Sequence, residues 1–322
     1  MQQQPEFSLI KEDLDLFEKS FKKAVKSRAP LLDRITHYII NRKGKQLRPK
    51  FVILSARLFG PTTESTFNAA SLVELLHTAT LVHDDVVDES MLRRSFFSIN
   101  ALWKNKVAVL VGDYLLSKGL LLSLDNNEHK VLQILSNAVR KMSEGELLQI
   151  EKARKLNLDE EIYYEIIRNK TASLLASACG AGAWSTSRDE TITEKMMLFG
   201  EKTGMAFQIK DDLFDYGTSD VGKPTGNDIK EKKLTLPLIF TLGQVDKTKR
   251  RKMIYVLKNE NENKEKVQWV IDDVSRAGGI DYSIEKMFRF RDEALAILSE
   301  MPQNEANKAL EALVRFTTDR SY

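Results

Sequence analysis

LLHTATLVHDDVVDESMLRR, residues 75–94, has the apolar rhythm of a helix with an aspartate cluster set into it. Leu81, Val82, Val86 and Val87 flank Asp84, Asp85 and Asp88. On a helix, positions i and i+4 share a face, so Asp84 and Asp88 point the same way. Stacked like charges destabilise a helix, and carboxylates in apolar surroundings call for cations. The same DDxxD spacing returns downstream as Asp211-Asp212-Leu213-Phe214-Asp215, again among apolar residues (Phe207, Ile209, Leu213, Phe214). With 21 aspartates in 322 residues, one chance match is uncommon and two are rare. Clustered oxygen ligands suit a hard ion such as Mg²⁺, which takes one or two carboxylates and leaves its other positions to water and phosphate. Two such clusters facing each other would form a metal-lined mouth for a diphosphate.

Outward from these clusters the chain reads as helices. Leu9, Leu14, Leu16, Phe17, Phe21 and Val25 fall at helical spacing over 8–26, with Ser8 as the expected N-cap, after a loose terminus at 1–7. Pro30 opens a second helix, and another follows Pro49 and stops at Gly60-Pro61. Long helical patterns cover 66–90, 100–124, 128–152, 171–187 and 190–216, with shorter amphipathic ones after Leu234. GTSDVGKPTGNDIKEKK (217–233) is rich in glycine and lysine, contains a proline, and reads as a mobile basic lid rather than a packed element. There is no βαβ rhythm, fixed-period repeat or Pro/Gly/Ser linker. The expectation is an all-α fold, one large bundle of about a dozen helices spanning 1–322 as a single domain; bundle cores can build metal sites from facing helices.

Composition agrees. The 15 glycines and 7 prolines make up about 7 % of the chain against about 12 % in average usage, which favours long helices over a turn-rich β fold. With 42 % hydrophobic and 30 % charged residues the chain can fill a core and coat its surface, which excludes a disordered, collagen-like or disulfide-scaffold chain. A net charge of +3 does not suggest a nucleic-acid binder. One cysteine, Cys179, permits no internal disulfide, and the first residues show no signal-peptide pattern, so a cytoplasmic location is expected. The longest apolar run, Leu115 to Leu124, is interrupted by Ser117, Lys118 and Ser123, so no membrane-spanning helix is expected.

Basic groups accompany the aspartates. Lys45 and Arg48 sit just before a helix, His77 lies two turns before Asp84, and Arg93 and Arg94 follow the first cluster. Lys and Arg bind phosphate directly, Arg through its fork, so a second phosphorylated substrate could be held without metal. Gly180-Ala181-Gly182 has no preceding strand and reads as close helix packing rather than a dinucleotide fingerprint.

GKQLRP (44–49), LLHTATLVHDDVVDESMLRR (75–94), EGELLQ (144–149), NKTASLL (169–175) and GMAFQIKDDLFDYGTSDVGKPTGNDIKEKK (204–233) together resemble the trans-isoprenyl diphosphate synthases, in the family's order, and most of all its long-chain polyprenyl members of the octaprenyl and heptaprenyl kind. The resemblance implies the isoprenoid-synthase fold with a central cavity, a homodimer, and two or three Mg²⁺ ions per active site, with Mn²⁺ a possible substitute. It implies that Asp84, Asp88, Asp211 and Asp215 hold these ions on the diphosphate of an allylic substrate, supported by Asp85 and Asp212. Lys45, Arg48, His77 and Arg94 would bind isopentenyl diphosphate. Arg93, Lys170, Thr171, Gln208, Lys223 and Lys233 would contact the allylic diphosphate or close over it, with Lys170 and Gln208 also serving the chemistry.

The implied reaction is head-to-tail addition of isopentenyl diphosphate to a farnesyl or geranyl diphosphate primer. The allylic C–O bond breaks, the resulting carbocation is attacked by the isopentenyl double bond, and a proton is lost. Small Ala79 and Thr80, five and four residues before Asp84, leave room for a tunnel where short-chain members often carry an aromatic ring. A product of between about 35 and 50 carbons follows, of the kind used for quinone side chains, with a transient membrane-surface contact for its release. The alternatives are a shorter-chain (farnesyl or geranylgeranyl) synthase, a non-catalytic subunit of a heteromeric synthase, a terpene cyclase and a head-to-head synthase. An HD-type phosphohydrolase needs more ligands than His37, His77, His83 and His129 offer.

Overall fold

The computed structural model describes residues 5–41, 46–93, 96–155, 159–217 and 226–319. Its helices are α1 (Lys11–Val25), α2 (Pro30–Asn41), α3 (Leu47–Arg57), α4 (Glu64–Val87), α5 (Ile99–Asp125), α6 (His129–Lys155), α7 (Glu160–Ile167), α8 (Ser173–Ser187) and α9 (Glu190–Leu213). They continue with α10 (Asn227–Lys230), α11 (Leu236–Gln244), α12 (Lys247–Asn259), α13 (Lys264–Arg276), α14 (Gly279–Ser299) and α15 (Glu305–Thr318). The only strands among the described residues are a two-residue antiparallel pair, β1 (Leu92–Arg93) and β2 (Phe96–Phe97). The fold is all-α, as the apolar spacing predicts.

The chain forms two compact units. The first comprises Met1–Val139, Leu174–Met197 and Met301–Leu310; the second comprises Arg140–Ser173, Leu198–Glu300 and Glu311–Tyr322.

In the first unit, α4 follows its N-cap Thr63, an extended residue whose hydroxyl and backbone pair reciprocally with Thr66, so two otherwise orphaned amides find partners. α4 packs antiparallel on α5 at two glycines. A Cβ on Gly112 would meet His83 Nε2 at 2.1 Å, and one on Gly119 would meet Leu72 Cδ1 at 2.7 Å. Leu72, Leu75, Ala79, Val111 and Leu115 are buried there, and full burial of a large aliphatic side chain stabilises by about 1.5–3 kcal/mol. Gly182 of α8 lies against Val52 O of α3, which bears out the reading of the Gly180–Gly182 segment as close packing.

The second unit has its own cores. Ile229, Leu238, Met253, Leu257, Val270 and Val274 belong to one, and Tyr163, Ala172, Ala206, Ile209, Leu213 and Met287 to the other. Gly145 of α6 and Gly204 of α9 both bear on the turn between α7 and α8. A Cβ at 145 would lie 2.9 Å from Lys170 N, and one at 204 would lie 2.6 Å from Ala172 Cα. That turn, Arg168–Ala172, is π-helical.

Several expectations are corrected. Ser8 does not cap a helix: Pro5–Ile10 is a 3₁₀ turn, and α1 begins at Lys11 without a side-chain cap. The third helix starts at Leu47 rather than after Pro49, because left-handed Gln46 turns the chain into it. The helix expected over 66–90 ends at Val87, leaving Asp88 as its C-cap. The helix expected to start at 171 is preceded by α7 and the π turn. Helix 190–216 gives way after Leu213 to a 3₁₀ turn, Phe214–Tyr216. The lid expected over 217–233 is not loose throughout: Ile229 is fully buried and α10 lies within it, because Ile229 and Leu234 anchor it to the core; residues 218–225 lie outside those described. Apart from these corrections, α5 is long and apolar enough to pass for a membrane span by length and composition alone, a test that core helices also pass, so the expectation of no spanning helix is not overturned. Its outer face carries exposed Leu102, Val109, Leu110, Leu120, Leu121 and Leu124.

Candidate active site

The first acidic cluster ends α4. Asp88 donates its backbone N–H to Asp84 O (2.8 Å), so the i, i+4 relation predicted from the spacing holds. Asp88 is exposed, Asp84 half-buried and Asp85 buried. Asp85 Oδ1 accepts from Arg93 Nε (2.7 Å) and lies 2.6 Å from its Nη2. Its carbonyl accepts from Asn100 Nδ2 (3.1 Å) and Ser90 N (2.9 Å). Asp85 therefore fastens the β1–β2 hairpin, while Asp88 is exposed to solvent. Arg93, expected on the allylic diphosphate, is held by Asp85 in this state.

A cavity of about 120 Å³ lies against the same helix, with His77, Asp85 and Arg93 on its polar side and Leu81, Val82 and Phe97 on its apolar side. His77 is thus a buried cavity residue. Arg48 stands half-buried in the first turn of α3. Ala79 is fully buried, and Thr80 donates its hydroxyl to His77 O (2.9 Å); neither lines this cavity. Lys45, Arg94 and Lys223 lie outside the described residues.

The second cluster ends α9. Asp211 is exposed, Asp212 and Asp215 are buried. Asp212 Oδ2 accepts from Tyr163 Oη (2.7 Å) and Oδ1 from Gln208 Nε2 (2.9 Å). Gln208 Oε1 accepts in turn from Thr171 Oγ1 (2.9 Å). Lys170, next to Thr171 on the π turn, reaches Glu146 Oε2 (2.5 Å) and Gln149 Oε1 (3.2 Å). π-helical turns are rare and appear often at functional sites, and this one carries both residues singled out in NKTASLL. Asp215, on the 3₁₀ turn, accepts from Asp228 N (3.0 Å), so the tighter turn ties it to α10. Lys233 pairs with Glu231 and lies 4.0 Å from Asp228 Oδ1.

These carboxylates crowd one another. Burial, with the Asp228 charge next, pushes Asp212 up to about 7, against the pull of its Tyr163 and Gln208 hydrogen bonds. Burial and the Asp215 charge push Asp228 up to about 6, with Lys233 opposing. Burial, then the Asp212 charge, raises the Tyr163 phenol. Burial and neighbouring negative charge both disfavour an ionised carboxylate, so Asp212 and Asp228 are raised together. Among the described residues no three His, Cys, Asp or Glu side chains converge into a closed cage. The donor set fits an ion that takes one or two carboxylates and fills its other positions with water and phosphate oxygen, which is the habit of Mg²⁺.

Sequence reasoning assigned no site role to Tyr163, Asp228, Glu146 or Gln149. Tyr163 lies seven residues before Lys170, two turns along the same helical path, and that spacing was the available signal. Asp228 belongs to a segment read as loop, and only its packing reveals its place.

The Polyprenyl synthetase family profile matches residues 29–274. The chain is 32 % identical to heptaprenyl diphosphate synthase component 2 of Geobacillus stearothermophilus, over 98 % of each. It is 33 % identical to the all-trans-nonaprenyl-diphosphate synthase (geranyl-diphosphate specific) of Rhodobacter capsulatus, covering 97 % of this chain and 96 % of that one. Among solved structures, the decaprenyl diphosphate synthase from Rhodobacter capsulatus superposes with a TM-score of 0.93 at 33 % identity, over 98 % of each chain. With two DDxxD clusters, a lysine-bearing π turn and this match, the chain belongs to the polyprenyl synthetase family.

Proposed function

We propose that this protein is a Mg²⁺-dependent prenyltransferase that adds isopentenyl diphosphate units to an allylic diphosphate and makes a long all-trans polyprenyl diphosphate. The observation that carries the reading is the hydrogen-bonded chain that runs from Asp212 of the second DDxxD cluster through Gln208 to Thr171, beside Lys170 on the π turn. Bound Mg²⁺ would neutralise the charge that develops on the departing diphosphate.

The chain's own residues do the rest. Asp84, Asp88, Asp211 and Asp215 hold the ions, supported by Asp85, Asp212 and Asp228. Lys170 and Arg93 leave their carboxylate partners to meet diphosphate oxygens, adding electrostatic stabilisation as the C–O bond breaks. Thr171 and Gln208, tied together, offer fixed oxygen dipoles to the allylic cation. Lys45, Arg48, His77 and Arg94 hold the second diphosphate. Lys223 and Lys233 close over the site and help exclude water, which would quench the cation. The departing diphosphate takes the proton lost after addition.

The small side chains of Ala79 and Thr80 favour a product of between about 35 and 50 carbons. The exposed leucine face of α5 suits a second copy of the chain as partner, and the lipid product calls for a membrane surface at release. A second reading, in which a different subunit is needed for activity, is favoured by the word "component" in the name of the Geobacillus relative. The test is incubation of the purified chain with farnesyl diphosphate, isopentenyl diphosphate and Mg²⁺, then mass analysis of the lipid. Products of 35 carbons or more that vanish with EDTA and return with Mg²⁺ are expected. No isopentenyl consumption by the chain alone would refute the self-sufficient enzyme, and 15- or 20-carbon products would refute the long-chain reading.

A further inference from the structure

α12 reads KTKRRKMIYVLKN, with six cations and no acid. Its inner face is committed, since Met253, Val256 and Leu257 are buried in the second unit's core. Two of its cations are engaged: Lys249 Nζ lies 3.0 Å from Asp273 Oδ2, and Lys252 sits over the Trp269 ring at 4.7 Å. Lys247, Arg250, Arg251 and Lys258 are exposed, and among the described residues none of them has an ion-pair partner. At about 100° per residue, Lys247, Arg251 and Lys258 fall within about 40° of one another, with Arg250 about 60° to one side. Tyr255 (56 % exposed) lies at the edge of this stripe, while Ile254 within it is half-buried and packs against the second unit's core. Nearby acids do not balance it. Asp246 is used in capping the Thr248 and Lys249 amides, Glu260 is paired with Lys266, and Glu262 and Glu265 lie beyond the end of the helix.

We propose that this face docks the protein on an anionic lipid surface. The inference rests on the reading that the product is a polyprenyl diphosphate, an amphiphile that must leave for a membrane. Clusters of four or more Lys and Arg on an amphipathic helix bind acidic headgroups, each raising affinity about fivefold. An aromatic ring such as Tyr255 settles at the headgroup level. A chain with a net charge of only +3 that gathers four unpaired cations around exposed Tyr255 fits this better than a general nucleic-acid binder.

The test is co-sedimentation of the full chain with phosphatidylcholine vesicles, with and without about 30 % phosphatidylglycerol. Binding to the anionic vesicles alone is expected, and it should weaken steeply as salt is raised. Arg250→Glu with Arg251→Glu should lower the partition coefficient at least about 30-fold, while Lys22→Glu with Lys23→Glu, the same charge change on α1, should leave it within a few-fold. Equal binding to neutral vesicles, equal loss in the α1 variant, or retention of a DNA fragment in place of vesicles would each overturn the proposal. Turnover is measured separately in detergent solution. Vesicle binding without turnover would refute the self-sufficient enzyme and spare the docking face; turnover without vesicle binding would refute the docking face and spare the enzyme.

Discussion

Gly204→Ala should damage the site from a distance that can be read off the structure. The new methyl would lie 2.6 Å from Ala172 Cα and 2.8 Å from Ala172 Cβ, where ordinary contacts begin near 3.4 Å. Either α9 or the π turn must give by about 1 Å. The obstacle is backbone, so relief by a rotamer change is closed, and overpacking of this kind costs about 2–3 kcal/mol, in the upper part of the usual range. Replacing a helical glycine by alanine returns about 1 kcal/mol of propensity, which leaves a net loss of about 1–2 kcal/mol. For a chain of this length that lowers Tm by about 2–3 °C. The larger effect is on rate: Lys170 and Thr171 ride on the displaced turn, and a misplacement of about 1 Å can cost about 100-fold. Steady-state turnover and thermal unfolding of the same preparation measure both. Gly243→Ala is the control, since nothing lies within 4 Å of its new methyl; it should keep full activity and gain slightly in Tm. Wild-type turnover together with an unchanged or higher Tm in Gly204→Ala would refute the claim that the glycine holds the turn in place.

Other outcomes follow from the same geometry. Tyr163→Phe removes one hydrogen bond from Asp212 and should raise the Mg²⁺ concentration needed for half-maximal turnover several-fold with little change in Tm; an unchanged metal requirement would make Tyr163 merely a packing residue. Folded Asp212 titrates at about 7 and an unfolded aspartate near 3.9, so between these values the folded state binds its proton more tightly. Its contribution to stability is complete below about pH 4 and is lost as pH rises through 7. Asp212→Asn, which cannot ionise, should therefore gain stability relative to wild type in chelator between pH 5 and pH 8, and a constant difference across that range would contradict the assignment. Ala79→Tyr should shorten the product seen by chromatography; an unchanged length distribution would mean that the growing chain does not pass Ala79.

What the sequence made legible were features of local spacing. The helices show because buried leucines, valines and phenylalanines recur every three or four residues, and both aspartate clusters show because their pairs sit one turn apart. Other features depended on distant partners. The π turn Arg168–Ala172 is hemmed in by Gly145 of α6 and Gly204 of α9, both remote in sequence, so no local pattern announces it. Asp215 leaves the helical register because α10 supplies a backbone N–H to its carboxylate. Residues 226–233 look like loop by composition, yet Ile229 and the adjoining Leu234 give them enough apolar burial to pack. α5 carries a further hidden feature: Lys104 adopts φ 72° and ψ 161°, a region that favours glycine, and kinks the helix with no glycine to signal it.

The proposed function needs divalent ions at both acidic clusters for diphosphate to bind, and metal-dependent binding tests it most directly. Calorimetric titration of the protein with an unreactive thiolo analogue of farnesyl diphosphate should show tight binding only with Mg²⁺ or Mn²⁺, and Asp84→Ala and Asp211→Ala should each abolish the metal-dependent part while remaining folded. Equal affinity in EDTA, or either variant binding like wild type, would contradict it.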